Sequence, residues 1–356
     1  MIAKKSIKNL ILAVLFALPL FATAGGSSEK GKEKEFNVVE MIMHHIADSH
    51  EWHIYGEGDE SVSIPLPVIL YTDNGLVTFM SSEFHHDDSG HHIVTKNGMN
   101  FVRNHGKIYQ LDAGQKEVNF DHETHAITNG KKPLDFSITK NVTSMFISII
   151  LILLIFTSIA RSYKKSLVPT GFAGLMEPLI LFVRDDIAKS LIDEKKYMKY
   201  VPYLLTLFFF IWVNNLLGLV PTGANLTGNI ATTMVLAVLT LLIVNFSGNA
   251  HYWKHIFWMP GVPAPIKLVL APIEFAGIFI KPFALMIRLF ANITAGHIII
   301  LSLISLIFIF KLAGTPSILL AIFIMILEFV VAFVQAYIFT FLTALFIGMA
   351  VEDAHH

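Results

Sequence analysis

The sequence predicts an all-α membrane protein with five transmembrane helices, a partial or in-plane helix and a long tilted C-terminal helical hairpin. A small extracytoplasmic domain, α+β or β-rich, precedes them. Three observations carry this reading. Of the 356 residues, 54% are hydrophobic and only 15% charged, whereas a soluble domain averages about 25% charged. Uncharged runs long enough to span a bilayer crowd the chain from residue 141 onward. Before that point the sequence is soluble in character and holds eleven of the 16 His.

The N-terminus reads as a signal peptide over 1–24. Lys4, Lys5 and Lys8 form a basic region, Leu10 to Phe21 an apolar one, and Ala22-Thr23-Ala24 a cleavage pattern. A flexible Gly/Ser/Lys/Glu linker follows, opening a 25–140 region. Apolar Val38, Ile42 and Ile46 predict a helix over 36–50. Strands are expected over 61–71 and 75–80, joined by the turn Thr72-Asp73-Asn74-Gly75, and further short ones over 106–111 and 116–120. His85, His86, His91 and His92, with Asp87 and Asp88 between them, are candidate metal ligands. A solvated polar loop is the plainer reading, and the one adopted.

The membrane domain is expected over 141–356. Spans are predicted near 141–160, 202–220, 230–247, 285–310 and 317–350. No Lys, Arg, Asp or Glu occurs from Tyr200 to Trp253, and Pro221-Thr222-Gly223 breaks that run in two. Lys267, Pro272, Glu274 and Lys281 interrupt a shorter apolar stretch, so 266–280 is expected to be a partial helix apart from the next span. Helical spacing over 175–192 predicts an amphipathic helix on the membrane surface. Basic residues crowd 161–199, are absent from 221–229, and return at Lys254 and Lys267. The positive-inside rule therefore puts the C-terminus in the cytoplasm and the N-terminal domain outside.

Composition also excludes functions. A net charge of −1 gives no basic field for nucleic acid. With no Cys there is no disulfide, thiolate zinc site or cysteine nucleophile. No GxxxxGK[ST] phosphate loop occurs, so nucleotide chemistry must lie elsewhere. No cofactor is implied.

Charges inside a span cost roughly 2.5–3.5 kcal/mol or more each and need a reason. The last third contains Glu274, Lys281, Arg288, His297 and Glu328. Lys281 is placed to snorkel toward the surface. An arginine cannot escape the cost by losing its proton, so Arg288 must face protein, water or a carboxylate. Ala284, Ala291, Asn292 and Ala295 share its helix face and clear a groove for another helix. A static ion pair with Glu274 or Glu328 is the competing explanation. If 285–310 and 317–350 form a hairpin about Gly314, His297 and Glu328 differ in depth by about 4–5 Å and can meet. Such a couple can pass protons or simply hold a structural hydrogen bond, and spacing does not choose between them. Gln335 lies seven residues beyond Glu328 on the same face, deeper in the span. Glu274, nearer the cytoplasm, is a candidate for a second polar path or an interfacial carboxylate in water.

The stretch from Ile287 to His297, IRLFANITAGH, resembles the RLF(A/G)N-x-x-AG(E/H) signature of subunit a of F-type ATP synthases. Asn214 to Pro221 (NNLLGLVP) is similar to that family's N-L-x-x-L-x-P region, and Glu328 to Ala350 to its last helix. The resemblance covers about 141–352. It implies a non-catalytic stator subunit with two proton half-channels, facing the subunit c ring beside a subunit b stalk and the other F0/F1 subunits. It also implies a multi-pass place in the bacterial inner membrane. Arg288 would be the family's essential arginine, with Asn292, His297, Glu328, Gln335 and Glu274 along the proton path. Where some members carry Glu after Ala-Gly this chain has His297, and where those carry His it has Glu328. The 25–140 region departs from the family in its length and its His content. Two readings from other classes are a secondary transporter, for which no inverted repeat is visible, and a membrane-anchored metal-binding protein, which leaves Arg288 unexplained.

Overall fold

In a computed structural model of the chain, the described residues are 46–55, 62–112, 115, 117–120, 127–165, 170–220, 223–259, 261–310 and 316–353. The predicted signal peptide, the linker, most of the 36–50 helix and the turn at Gly314 lie outside them.

The N-terminal region is β-rich. β1 (Glu51–Tyr55) pairs with β2 (Val62–Pro65). β3 (Pro67–Thr72), β4 (Gly75–Met80) and β9 (Leu134–Asp135) form a sheet in the order β4-β3-β9. β5 (Ser89–Lys96), β6 (Met99–Asn104), β7 (Lys107–Leu111) and β8 (Gly130–Lys131) form another, in sequence order.

The β3–β4 hairpin stands where its turn was predicted, closed by Thr72 Oγ1 donating to Gly75 O at 2.8 Å. The strand expected over 61–71 is instead two strands in different sheets. Pro65 and Pro67 flank Leu66 and cannot donate to a ladder, so the chain turns there and Leu66 N–H bonds Ser81 Oγ at 2.9 Å. The expected 116–120 strand is also absent among the described residues. Phe120 makes one isolated bridge to Ile127, and Asn119 N–H is taken by the Asn129 side chain at 2.8 Å. Two hairpins not foreseen turn on Asn97-Gly98 (φ 51° and 75°) and His105-Gly106 (φ 47° and 71°). Positive φ at both central residues matches the right-handed strand twist.

Val68, Leu70, Val77 and Phe79 point inward onto Phe84, Phe101 and Ile108 to make the core of this region. Arg103, 4% exposed, spends its donors on Glu51 Oε2 at 3.3 Å and the Asp87 carbonyl at 3.0 Å. The region is stitched to the first helix. Ile138 N–H bonds Pro67 O at 3.0 Å, Lys140 N–H bonds Ser49 O at 2.8 Å, and the Asp48 carboxylate accepts from Thr139 Oγ1 at 2.9 Å and Asn141 N–H at 3.1 Å.

Seven α-helices follow among the described residues: α1 (Lys140–Lys165), α2 (Phe172–Leu181), α3 (Tyr197–Gly218), α4 (Ile230–Ser247), α5 (Ala250–Phe257), α6 (Ala264–Phe310) and α7 (Pro316–Val351). Five of them, α1, α3, α4, α6 and α7, are long and apolar enough to cross a membrane. α2 runs on into a π-helical stretch, Phe182–Lys189, within the predicted amphipathic segment. Asn229 and Asn249 cap α4 and α5 through their side-chain oxygens.

The partial helix expected over 266–280 is not separate. It is the first third of α6, which continues through Pro272 and Pro282 without a break. Each proline removes one backbone hydrogen bond. In lipid, ending the helix there would strand several more, so continuity is favoured. At about 1.5 Å per residue α6 and α7 are roughly 70 and 54 Å long, well beyond a hydrocarbon core of about 30 Å. They fit a bilayer only by crossing it obliquely or projecting from it. Lys196 Nζ donates to Val351 O at 2.7 Å and Asn249 N–H to Ala350 O at 3.0 Å. The start of α3, the α4–α5 turn and the end of α7 therefore share one end of the bundle.

A pH response follows at the joint. Burial alone would raise the Asp135 carboxyl, but His50 Nε2 at 2.7 Å and the Ser137 hydrogen bonds outweigh it and hold it below the ordinary carboxylate value. A depressed carboxylate stabilises the fold above the unfolded value near pH 4, and that contribution is lost as pH falls through the folded value. Hydrogen exchange over 134–141, corrected for its intrinsic pH dependence, should stay slow from neutrality to about pH 4 and accelerate below. Asp135→Asn should flatten that acid step, and an unchanged step would assign it to another group.

Candidate functional site

α6 presents two unlike faces. Leu285, Leu289 and Ile293 are buried in the helical core with Leu204, Phe208 and Phe339. Ala284, Arg288, Ala291, Asn292 and Ala295 are all exposed on the chain. This is the cleared face that the sequence predicts around Arg288. Among the described residues no hydrogen bond or ion pair reaches the Arg288 guanidinium, from Glu274, Glu328 or any other group. A static intrachain ion pair is thereby set aside.

Behind that face lies a line of neutral polar contacts. Asn292 Nδ2 donates to Gln335 Oε1 at 2.9 Å, joining α6 to α7. Asn215 Nδ2 donates to the Ala332 carbonyl at 3.2 Å, and its Oδ1 accepts from Thr227 Oγ1 at 2.7 Å, bringing in α3 and the α3–α4 loop. Thr294 Oγ1 reaches Gly228 O at 3.4 Å. Farther along, Thr240 meets Tyr203 at 3.2 Å and Thr343 at 3.4 Å. Hydroxyls and amides suit this setting because a neutral hydrogen-bonded pair costs far less to bury than a charge.

His297 and Glu328 come to adjacent residues of α6 but do not bond. The Glu328 carboxylate lies over Gly296, where a Cβ would overlap it. His297 Nε2 lies against Gly218, 3.6 Å from where that residue's Cβ would sit. The structure thus places the two side chains beside one turn of α6, with no hydrogen bond between them among the described residues. Glu274 is half-buried toward the other end, close enough to Tyr252 for its charge to add to burial in raising that phenol. Tyr252 also lines a pocket with Asn245, Ile278, Lys281, Phe346 and Met349. Lys281 lies over the Phe346 ring at 5.6 Å rather than reaching Glu274.

The His-rich segment is a loop only in its first half: His85 to Asp88 make an exposed turn, and a strand begins at Ser89. His91 and His92 belong to β5, and the Asp87 carboxylate takes the backbone N–H of both, at 2.7 and 2.6 Å, and that of Ser89 at 3.0 Å. His86 pairs with Glu51, and the His85 and His92 rings meet edge to face at 4.7 Å. Among the described residues no group of three His, Asp or Glu is arranged to hold a metal. Thr227, Thr240 and Thr343 are polar-line residues that sequence reading passed over, and Asn215 is one that it quoted in a motif but gave no role. Two consecutive Asn in an otherwise apolar uncharged span were the available signal.

A bundle with five membrane-length helices, one of them turning outward small residues and an arginine unpaired among the described residues, defines a multi-pass membrane protein. The comparisons give the family. Residues 142–348 match the ATP synthase A chain family, and the chain belongs to it. Residues 41–136 match a second family, described as Domain of unknown function (DUF8433). ATP synthase subunit a of Chloroherpeton thalassium is 46% identical over 252 residues, covering 67% of this chain and 74% of that one. ATP synthase subunit a 2 of Chlorobaculum tepidum is 48% identical over 234 residues, covering 62% and 66%.

The Gly296–Glu328 contact is testable. Gly296→Ala should leave the helices packed, because a flexible carboxylate can swing aside, but it should displace Glu328 from its seat. Proton flux through the assembled membrane sector should then fall by up to about a hundredfold, the cost of a misplacement of about an ångström. Full flux in Gly296→Ala would show that the seat does not matter.

Proposed function

We propose that this chain is the proton-translocating stator subunit of a bacterial ATP synthase, a non-catalytic member of its membrane sector that works against the rotating subunit c ring. The observation that carries the proposal is Arg288, exposed and unpaired among the described residues on a face of small side chains. Such a cation needs water or a carboxylate from outside the chain, and a cleared face admits a helix that brings one.

In this reading a proton enters from outside beside His297 and Glu328 and passes the Asn292–Gln335 pair. It then neutralises a ring carboxylate. The neutral site can face lipid as the ring turns. On returning it meets Arg288, whose fixed charge favours the ionised form, and the proton leaves toward the cytoplasm past Glu274 and the Tyr252 pocket. Each charge moved draws roughly 2.3 kcal/mol per 100 mV. A guanidinium that keeps its proton also blocks a direct leak between the two paths. The β-rich N-terminal region then lies outside the cytoplasmic membrane and the C-terminus inside, as the loop charges require. Subunit b and the remaining F0/F1 subunits are the further partners of this arrangement.

Arg288→Ala is the direct test. The helix should insert and the complex assemble, since removing the charge removes its desolvation cost, while coupled proton transport is abolished. Arg288→Lys should fail as well, because a lysine can shed its proton in a low dielectric and lacks the planar fork. Near wild-type pumping by assembled Arg288→Ala complexes would refute the mechanism.

A further inference from the structure

The polar line has a gap that α3 fills. His297 and Asn292 are five residues apart on α6, about 7.5 Å along its axis, and no side chain of α6 bridges them. Gly218 of α3 faces His297. Asn214 is one turn earlier on the same face of α3, which puts it level with Asn292. Its neighbour Asn215 bonds the Ala332 carbonyl of α7, and Gln335 follows Ala332 by three residues on that helix face. Asn214 and Gln335 thus approach the same stretch from two helices, with an axial offset of about 3 Å.

Both side chains are buried, Asn214 at 1% exposure and Gln335 at 2%, and each keeps one polar atom unpaired. Asn214 Nδ2 is spent on the Phe210 carbonyl at 2.8 Å, which leaves Oδ1 as a free acceptor. Gln335 Oε1 is taken by Asn292, which leaves Nε2 as a free donor. An unsatisfied amide is costly anywhere in a protein interior and more so at membrane depth, where bulk water is distant. An acceptor and a donor left over at nearly the same depth are the partners that a bridging water needs.

We propose that Asn214 is a path residue: with Gln335 it holds a water between His297 and Asn292 and so carries the incoming proton across the gap. The inference rests on the proton-path reading above. A packing role makes the opposite forecast. If Asn214 only fills space, replacing an unsatisfied buried amide by Leu of similar shape is neutral or stabilising and leaves flux unchanged.

The test uses the complete complex in vesicles. Asn214→Leu should assemble, resist heat at least as well as wild type, and lose proton-driven ATP synthesis tenfold or more, whereas Asn214→Ser should recover part of it. Wild-type flux in assembled Asn214→Leu overturns the inference. If Asn214→Leu fails to assemble, Asn214→Cys decides, since this chain has no other cysteine. Silver-ion inhibition beyond that of wild type supports a hydrated path, and insensitivity overturns it. Arg288→Ala run in parallel separates the two claims, for its survival would sink the whole proton reading while a surviving Asn214→Leu alone would sink only this one.

Discussion

A guanidinium that cannot lose its proton, carried midway along a predominantly apolar helix, is the constraint that organises this molecule. Arg288 can be tolerated there only with a partner carboxylate or water, and the chain supplies it with no carboxylate among the described residues. The face around it is accordingly alanine and asparagine, shaped for something to come close. The opposite face of α6 does the structural work, with Leu285, Leu289 and Ile293 packed into the helical core. Segregating the two roles lets one helix be rigid and reactive at once.

The polar residues behind Arg288 follow the same logic at lower cost. Between α3, α6 and α7 the contacts are amide to amide, hydroxyl to amide and amide to carbonyl. Neutral groups of this kind can order a path without adding further buried charge. The ionisable pair, His297 and Glu328, sits near the α3–α4 loop, beside Gly218 and Gly296. Glycine at 296 leaves the space that the Glu328 carboxylate occupies against α6. The length of α6 matters too, because one unbroken rod connects Glu274 near one end with His297 near the other.

Much of this was legible in the sequence. The arginine face, the five spans and the shared depth of His297 and Glu328 all followed from periodicity and the scarcity of charge. Where reading failed, a physical cause is visible. Pro272 and Pro282 look like breaks by the rules for water-soluble helices, yet lipid penalises a broken helix more than a missing hydrogen bond. The strand at 61–71 was divided by two prolines whose effect depends on pairing partners far along the chain. Asn97-Gly98 is a strong hairpin signal that composition, dominated there by histidine, obscured. His91 and His92 read as a loop because polar residues on both faces hide strand alternation. Which polar atoms meet, such as Asn215 with Ala332 or Asn292 with Gln335, depends on helix rotation, and sequence spacing fixes that only within one helix.

The exposed arginine face should be occupied in the assembled enzyme, and disulfide trapping reads this most directly. With no native cysteine in the chain, Ala291→Cys offers a single thiol one turn from Arg288. Paired with a cysteine placed beside the ionisable carboxylate of the ring subunit, it should oxidise to a heterodimer of the two chains. Rotation-coupled pumping should stop with the cross-link and return on reduction. A thiol at Ala291 that never joins the ring, and instead reacts only with lipid-borne reagents, would contradict the claim that this face exists to meet the ring.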